Sequence, residues 1–285
     1  MRTNRLVGLL TSVIVSSALL APALLRAQAA GTASVRELSQ SAPWLGHEAE
    51  IEDYLRTVEI QSTTGTGEGV THPLKAKLPP GGPVEYLAFK NIPRGPQNGA
   101  MESYQSEIAA YELDKMLHLG MIPPTVEKVY KKTKGAAVYW IPGTKNFNEL
   151  GAKNGGAPTA PPAKSEYWNV QIIRAKMFDC LAGNQDPNLG NWLADADWNL
   201  YIIDHSRALY SDTTFPHKLN HIDSELWDRM KLLTLPDLTA KLGPWMDKGD
   251  IKTIITRRDI MAKQIADLVK KAGGDESKVF VKYPS

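Results

Sequence analysis

One stretch constrains this chain more than any other: Gly183-Asn184-Gln185-Asp186-Pro187-Asn188-Leu189-Gly190-Asn191, followed by the apolar run Leu200 to Ile203 and then Asp204. It sets an Asp five residues before an Asn, and a second Asp at the end of a strand that reads as buried. Asp and Asn are common in turns, so each residue alone is unremarkable. Together they demand an explanation, because an unpaired carboxylate at the end of a buried strand is costly. A divalent cation offsets that cost. Mg2+ takes a few protein oxygens and completes its shell with phosphate oxygens. The amide of Asn191 and the carboxylate of Asp204 are ligands of that kind. Asp186 is then left to orient or accept the proton of an attacking hydroxyl. The surroundings also fix local structure. Val170, Ile173, Met177 and Leu181 mark a helix that delivers the chain to Asp186. Trp192-Leu193-Ala194 and Leu200 to Ile203 flank a turn at 195–199, which predicts a hairpin.

Upstream, Glu48 to Lys90 reads as strands. Val58 to Gln61 and Leu74 to Leu78 alternate, and Val84 to Lys90 resumes after the turn Pro79-Pro80-Gly81-Gly82. Between the first two lies Ser62 to Val70, in which Gly65, Gly67 and Gly69 make a hairpin tip. Backbone amides of such a tip suit phosphate oxygens. Ser103 to Leu119 reads as a helix with Ala109, Leu113, Met116 and Leu117 on one stripe. Val126 to Tyr130 and Ala136 to Ile141 follow as strands, with Lys131, Lys132 and Lys134 at a solvated turn. A site that handles phosphates also needs a Lys on a strand and a Glu to orient it. Lys90 ends its strand. Glu107 is the helix candidate, with Glu102 second. Glu107 lies opposite the Ala109/Leu113/Met116 stripe, so it must face the cleft while the stripe packs elsewhere. After a Gly-, Ala- and Pro-rich loop from Asn148 to Ala163, the chain is mainly helical. Helices are expected from Ser224 and over Asp259 to Ala272.

The N-terminus has the form of a Sec-type signal peptide: Arg2 and Arg5, then an apolar run from Leu6 to Leu25, then Ala27-Gln28-Ala29. Cleavage through Ala29 predicts a secreted or periplasmic protein with no stable membrane span, the alternative being an uncleaved anchor. Residues 30–47 read as a tether. The single cysteine, Cys180, permits no internal disulfide and no Cys-based zinc site. A net charge of +2 gives no reason to expect a nucleic-acid partner. No G-x-S-x-G or H-E-x-x-H motif points to a hydrolase.

The Asp-x4-Asn step with a later metal-binding Asp is the pattern of the protein-kinase catalytic loop. The run Ser106-Glu107-Ile108-Ala109-Ala110-Tyr111-Glu112-Leu113-Asp114-Lys115-Met116-Leu117, then Ile122-Pro123-Pro124-Thr125-Val126, resembles the secretory-pathway kinases, the Golgi casein kinase with its Four-jointed and xylosylkinase relatives. Phe178 to Asp186 is similar to the same group. The continuation to Asn191-Trp192-Leu193 is more similar to type II phosphatidylinositol 4-kinases and HipA-type kinases. The resemblance implies that Glu107 pairs with Lys90, that Gly65, Gly67 and Gly69 face the phosphates, and that Trp140 and Ile141 lie at the interlobe hinge. It implies an α+β, bilobal protein-kinase-like fold, with a small β-rich lobe over 48–142 and a larger helical lobe over 143–285. The implied activity is transfer of the γ-phosphate of ATP, with Mg2+ or Mn2+, to a hydroxyl on a protein, glycan or lipid head group. A kinase-fold module that binds without catalysing is the alternative. Two departures stand out. Pro187 follows Asp186 where the group often has Arg or His, and Asn191 stands where the animal casein kinases typically have an acidic residue.

Overall fold

The chain enters its fold through a helix, not a strand. The computed structural model describes residues 41–65, 73–97, 99–152 and 156–283. The expected signal segment, most of the tether, and Gly67 and Gly69 lie outside the described residues. Helix α1 spans Glu48–Thr57, where strands were expected. Ile51 and Leu55, four residues apart, are its buried face, a helical and not a strand period. The tether also ends earlier than expected. Trp44 is 1% exposed and packs on Tyr139 and Tyr201, with ring centroids 5.9 and 5.3 Å away.

Five elements then precede the next helix: β1 (Ser62–Gly65), β2 (Leu74–Lys77), β3 (Tyr86–Lys90), β4 (Gly95–Gln97) and β5 (Ala100–Glu102). Helix α2 (Tyr104–Leu117), β6 (Thr125–Tyr130) and β7 (Thr133–Tyr139) complete the first half. One antiparallel sheet has the order β1-β2-β3-β7-β6, and β4 with β5 forms a separate ribbon. Lys131 and Lys132 both have positive φ, the two-residue turn that a tight hairpin between β6 and β7 favours. One sheet face, with Ala76, Leu87, Phe89, Ala137 and Tyr139, packs with Trp44, Ile51 and Leu55 into a small core. Lys128 ties α1 to the sheet by donating from Nζ to the carbonyls of Leu55 at 2.9 Å and Arg56 at 3.2 Å, capping the helix end.

Helix α2 is buried on almost every side, which explains how Glu107 and the apolar stripe can point in opposite directions. Ala109, Leu113 and Leu117 enter the large helical core, while Ile108 packs on Ala136 and Val138 of the sheet. Ser103 caps its start, accepting from Gln105 N at 3.0 Å. At its end Asp114 accepts the N–H groups of Gly120, Met121 and Ile122 at 2.9, 2.9 and 3.0 Å.

The second half holds β8 (Lys145–Asn146), α3 (Ser165–Ala182), β9 (Trp192–Ala194), β10 (Leu200–Ile202), β11 (Ile222–Asp223), α4 (Ser224–Leu232), α5 (Leu235–Leu242), α6 (Lys248–Lys271) and β12 (Phe280–Val281). The expected hairpin is β9–β10, with β8 added on the far side of β9. Helix α6 starts well before the expected Asp259, its stripe Ile251, Ile254, Met261 and Ile265 being continuous through the core. A small sheet core and a large helical core make the fold α+β and bilobal, as expected. Among the described residues no helix is long and apolar enough to cross a membrane.

Candidate active site

Three charged side chains from three distant segments meet where the two cores face each other. Lys90 is the last residue of β3, Glu107 lies in the first turn of α2, and Asp204 follows β10. Lys90 Nζ donates to Glu107 Oε1 at 2.6 Å and to Asp204 Oδ1 at 2.9 Å. Lys90 is 7% exposed and Glu107 is 3% exposed, so water does little to solvate this pair, while the Asp204 side chain is half-buried. Gly135 permits the approach from the sheet side, because a Cβ there would sit 2.5 Å from the Lys90 carbonyl oxygen. Asp204 has φ +62, a left-handed conformation unfavourable for a residue with a side chain and one that clusters at functional sites. Ser206 Oγ donates to its Oδ1 at 3.2 Å, and the Glu107 carboxylate also accepts the His205 N–H at 3.1 Å.

Electrostatics divide the roles of the two carboxylates. Burial alone would raise Asp204, but the adjacent Lys90 charge and the hydrogen bonds outweigh it and hold its pKa at about 2. Burial wins at Glu107 and raises it in spite of Lys90. Lys90 itself is held up by the two carboxylates against its own desolvation, and stays charged.

The loop carrying Asp186 is built by its own amides. Helix α3 stops at Gly183, which adopts φ +62 and has the Arg257 guanidinium against it; a Cβ there would lie 2.7 Å from Nη1. Asn184 donates to Asp179 Oδ1 at 3.1 Å and accepts the Asp186 N–H at 3.1 Å. Asn188 Nδ2 donates to Asp186 Oδ1 at 2.9 Å. Asn191 Nδ2 donates to the Asp186 carbonyl at 3.2 Å, so its Oδ1 is the end left to serve as a ligand. The bond from Ile203 N to the Asn191 carbonyl, at 2.9 Å, brings Asn191 beside the strand that leads into Asp204. Among the described residues no group of three or more His, Cys, Asp or Glu suits a metal. An amide oxygen and a carboxylate are the kind of pair that could hold a hard cation sharing its shell with phosphate oxygens.

Sequence reasoning missed two features here. Arg207, three residues past Asp204, donates from Nε to Glu102 Oε1 at 2.8 Å and sets Nη1 3.5 Å from Asp186 Oδ2. Its nearness to Asp204 in the sequence was the available signal. Glu102, the second candidate for pairing with Lys90, is thus engaged by Arg207. The other feature is Asp179, fully buried behind the loop, with His217 Nε2 at 3.0 Å and His205 Nε2 at 3.7 Å. Burial would raise its pKa, but the two imidazoles outweigh it and hold it at about 2. A carboxylate depressed in the fold stabilises above its unfolded value near 4 and loses that contribution as the pH falls through about 2. Asp179→Asn is expected to lower stability by about 2–3 kcal/mol at neutral pH and to flatten the acid limb between about pH 4 and 2. Urea unfolding at a series of pH values checks this; an unchanged acid limb contradicts it.

The remaining expected site residues are placed as follows. Trp140 and Ile141 follow β7, where the chain leaves the sheet, and Trp140 N donates to the Tyr86 carbonyl at 3.2 Å. Lys75, opposite Ala88 on the neighbouring strand, puts its Nζ 4.2 Å from the Trp140 ring and 4.5 Å from the Tyr86 ring. Gly65 ends β1 and is exposed.

Known structures resemble this fold. The Golgi casein kinase is similar at 15% identity over 84% of this chain and 80% of its own, with a TM-score of 0.60. The chain has a protein-kinase fold. A form of the Golgi casein kinase with Mn/ADP bound matches at 16% identity over 82% of this chain and 78% of its own, TM-score 0.58. Hydra Fam20 with sugar matches at 12% identity over 82% and 92%, TM-score 0.58. No family model matches the sequence, and no curated protein is similar to it by sequence alone.

Proposed function

We propose that this protein is an exported kinase that transfers the γ-phosphate of ATP to a hydroxyl acceptor. The observation that carries the reading is Lys90 Nζ, buried and held between Glu107 and Asp204 at 2.6 and 2.9 Å. An ammonium has three N–H donors, so one is left for a phosphate oxygen. Glu107 fixes the ammonium, and Lys90 in turn keeps Asp204 ionised. Asp204 and Asn191 would hold Mg2+ or Mn2+, which when bound neutralises phosphate charge. That one similar structure carries Mn and ADP supports this choice. Asp186, with one oxygen fixed by Asn188, is the group that takes or orients the acceptor's proton. Phosphoryl transfer needs mainly positioning and charge neutralisation, which these side chains supply. Trp140 and Ile141 would meet the base at the hinge, and Gly65, Gly67 and Gly69 would close over the phosphates. The leader-like N-terminus supports a secreted or periplasmic site of action.

The acceptor class follows from one experiment. Purified protein is given γ-labelled ATP and Mn2+ with casein, a glycan mixture and phosphatidylinositol vesicles in parallel. Label on one acceptor, absent for Asp186→Ala, names the class. Nucleotide binding without label on any acceptor or on the protein itself contradicts the kinase reading in favour of a binding module.

A further inference from the structure

Asp186 has two carboxylate oxygens, and the structure provides a partner for each. Oδ1 accepts from Asn188 within the same loop at 2.9 Å. Oδ2 faces Arg207 Nη1 at 3.5 Å, on the loop that follows Asp204. Arg207 is not free to wander. Its Nε and Nη2 both meet Glu102 Oε1, at 2.8 and 2.6 Å, and Glu102 is 1% exposed. The backbone holds the same junction, with Ser103 N donating to the Ser206 carbonyl at 3.0 Å and Gln185 N to the Arg207 carbonyl at 3.2 Å. One guanidinium fork therefore joins the end of β5, the Asp204 loop and the Asp186 loop. Lys cannot do this, because a single ammonium lacks the rigid planar span between two carboxylates. The residue after Asp186 is Pro187, which has no charge and no N–H, so the cation beside Asp186 comes from a different loop.

We propose that Arg207, anchored by Glu102, is the positioning residue that aims Asp186 at the acceptor hydroxyl. This rests on the phosphotransfer reading above. Arg207 acts through Asp186, so its loss reduces turnover and leaves nucleotide affinity alone. A misplacement of about 1 Å at a reacting group costs on the order of 10²-fold in rate. Removing Arg207 alone also strands Glu102 as a buried unpaired charge, which endangers folding. Two variants avoid that. Arg207→Lys keeps the charge beside Glu102 and loses the fork. Glu102→Gln combined with Arg207→Ala removes both charges together.

The test is steady-state transfer with Mn2+ and ATP, on the acceptor that the wild type labels or on the protein itself. Arg207→Lys is expected to lower kcat about tenfold, and the double variant about 10²-fold, with KM for ATP within twofold of wild type. Added methylguanidine is expected to restore part of the double variant's kcat, which a purely structural role would not allow. A kcat within twofold of wild type in both variants overturns the inference and leaves the proposed function standing. So does a loss that appears as raised KM for ATP with no methylguanidine rescue. A wild-type protein that binds Mn2+ and nucleotide but transfers nothing overturns the proposed function, and the inference falls with it.

Discussion

Asp204→Ala is expected to reduce phosphate transfer by about 10³-fold or more while the chain stays folded. The charge arithmetic is the reason for both halves. Lys90 between Glu107 and Asp204 is one cation against two carboxylates. Deleting Asp204 leaves Lys90 with Glu107, a balanced buried pair at 2.6 Å, so the site survives. What disappears is the excess negative charge that a divalent cation would answer. Position 204 is left-handed, and Ala there costs about 1–2 kcal/mol. Asp204→Asn is the matched control, since Asn tolerates that conformation and keeps the shape while losing the charge. Circular dichroism with a labelled-phosphate assay checks the pair. Undiminished transfer by either variant contradicts the role given to Asp204.

Lys90→Met is expected to act on the fold as well as on the reaction. It leaves the buried Glu107 and the partly exposed Asp204 facing each other without their shared cation. Breaking a buried pair in this way typically costs about 3–5 kcal/mol. The pH dependence has a definite sign. With Lys90 gone, at least one carboxyl has a folded pKa above its unfolded value. It stabilises while protonated, and that contribution is lost as the pH rises through the folded pKa. Lys90→Met should therefore regain stability on going from pH 7 to pH 5. That is the opposite of the wild-type acid limb, which depressed carboxylates such as Asp179 govern. Mn2+ should also restore part of the loss, by supplying the missing positive charge. Urea midpoints at the two pH values, with and without Mn2+, measure this. A variant as stable as wild type under all four conditions contradicts the proposed electrostatics.

The parts of the fold that were legible in the sequence had local signatures. The β9–β10 hairpin announced itself by two short apolar runs around a polar turn, and α2 by its stripe and by Ser103. Asp204 was conspicuous because a carboxylate ending an apolar strand violates hydrophobic patterning. What could not be read was set by tertiary contact. Helix α1 has only two buried residues, and Lys128 caps it from a strand 70 residues away. Glu107 looked misplaced on a helical wheel because a wheel assumes one buried face, and α2 has a core on one side and the Lys90 cluster on another. Arg207 is an ordinary surface residue by pattern, and Glu102 stood out only as a second partner for Lys90. Their pairing exists only because the end of β5 meets the Asp204 loop. The roles of Lys90, Glu107, Asp186, Asn191 and Asp204 are proposals that follow from their geometry.

The most direct measurement is calorimetric titration of ADP into the protein with and without Mn2+, for wild type and Asp204→Ala. Wild type is expected to bind ADP in a Mn2+-dependent way, and Asp204→Ala to lose that binding. ADP binding that ignores Mn2+, or Mn2+-dependent binding that persists without Asp204, would contradict this expectation.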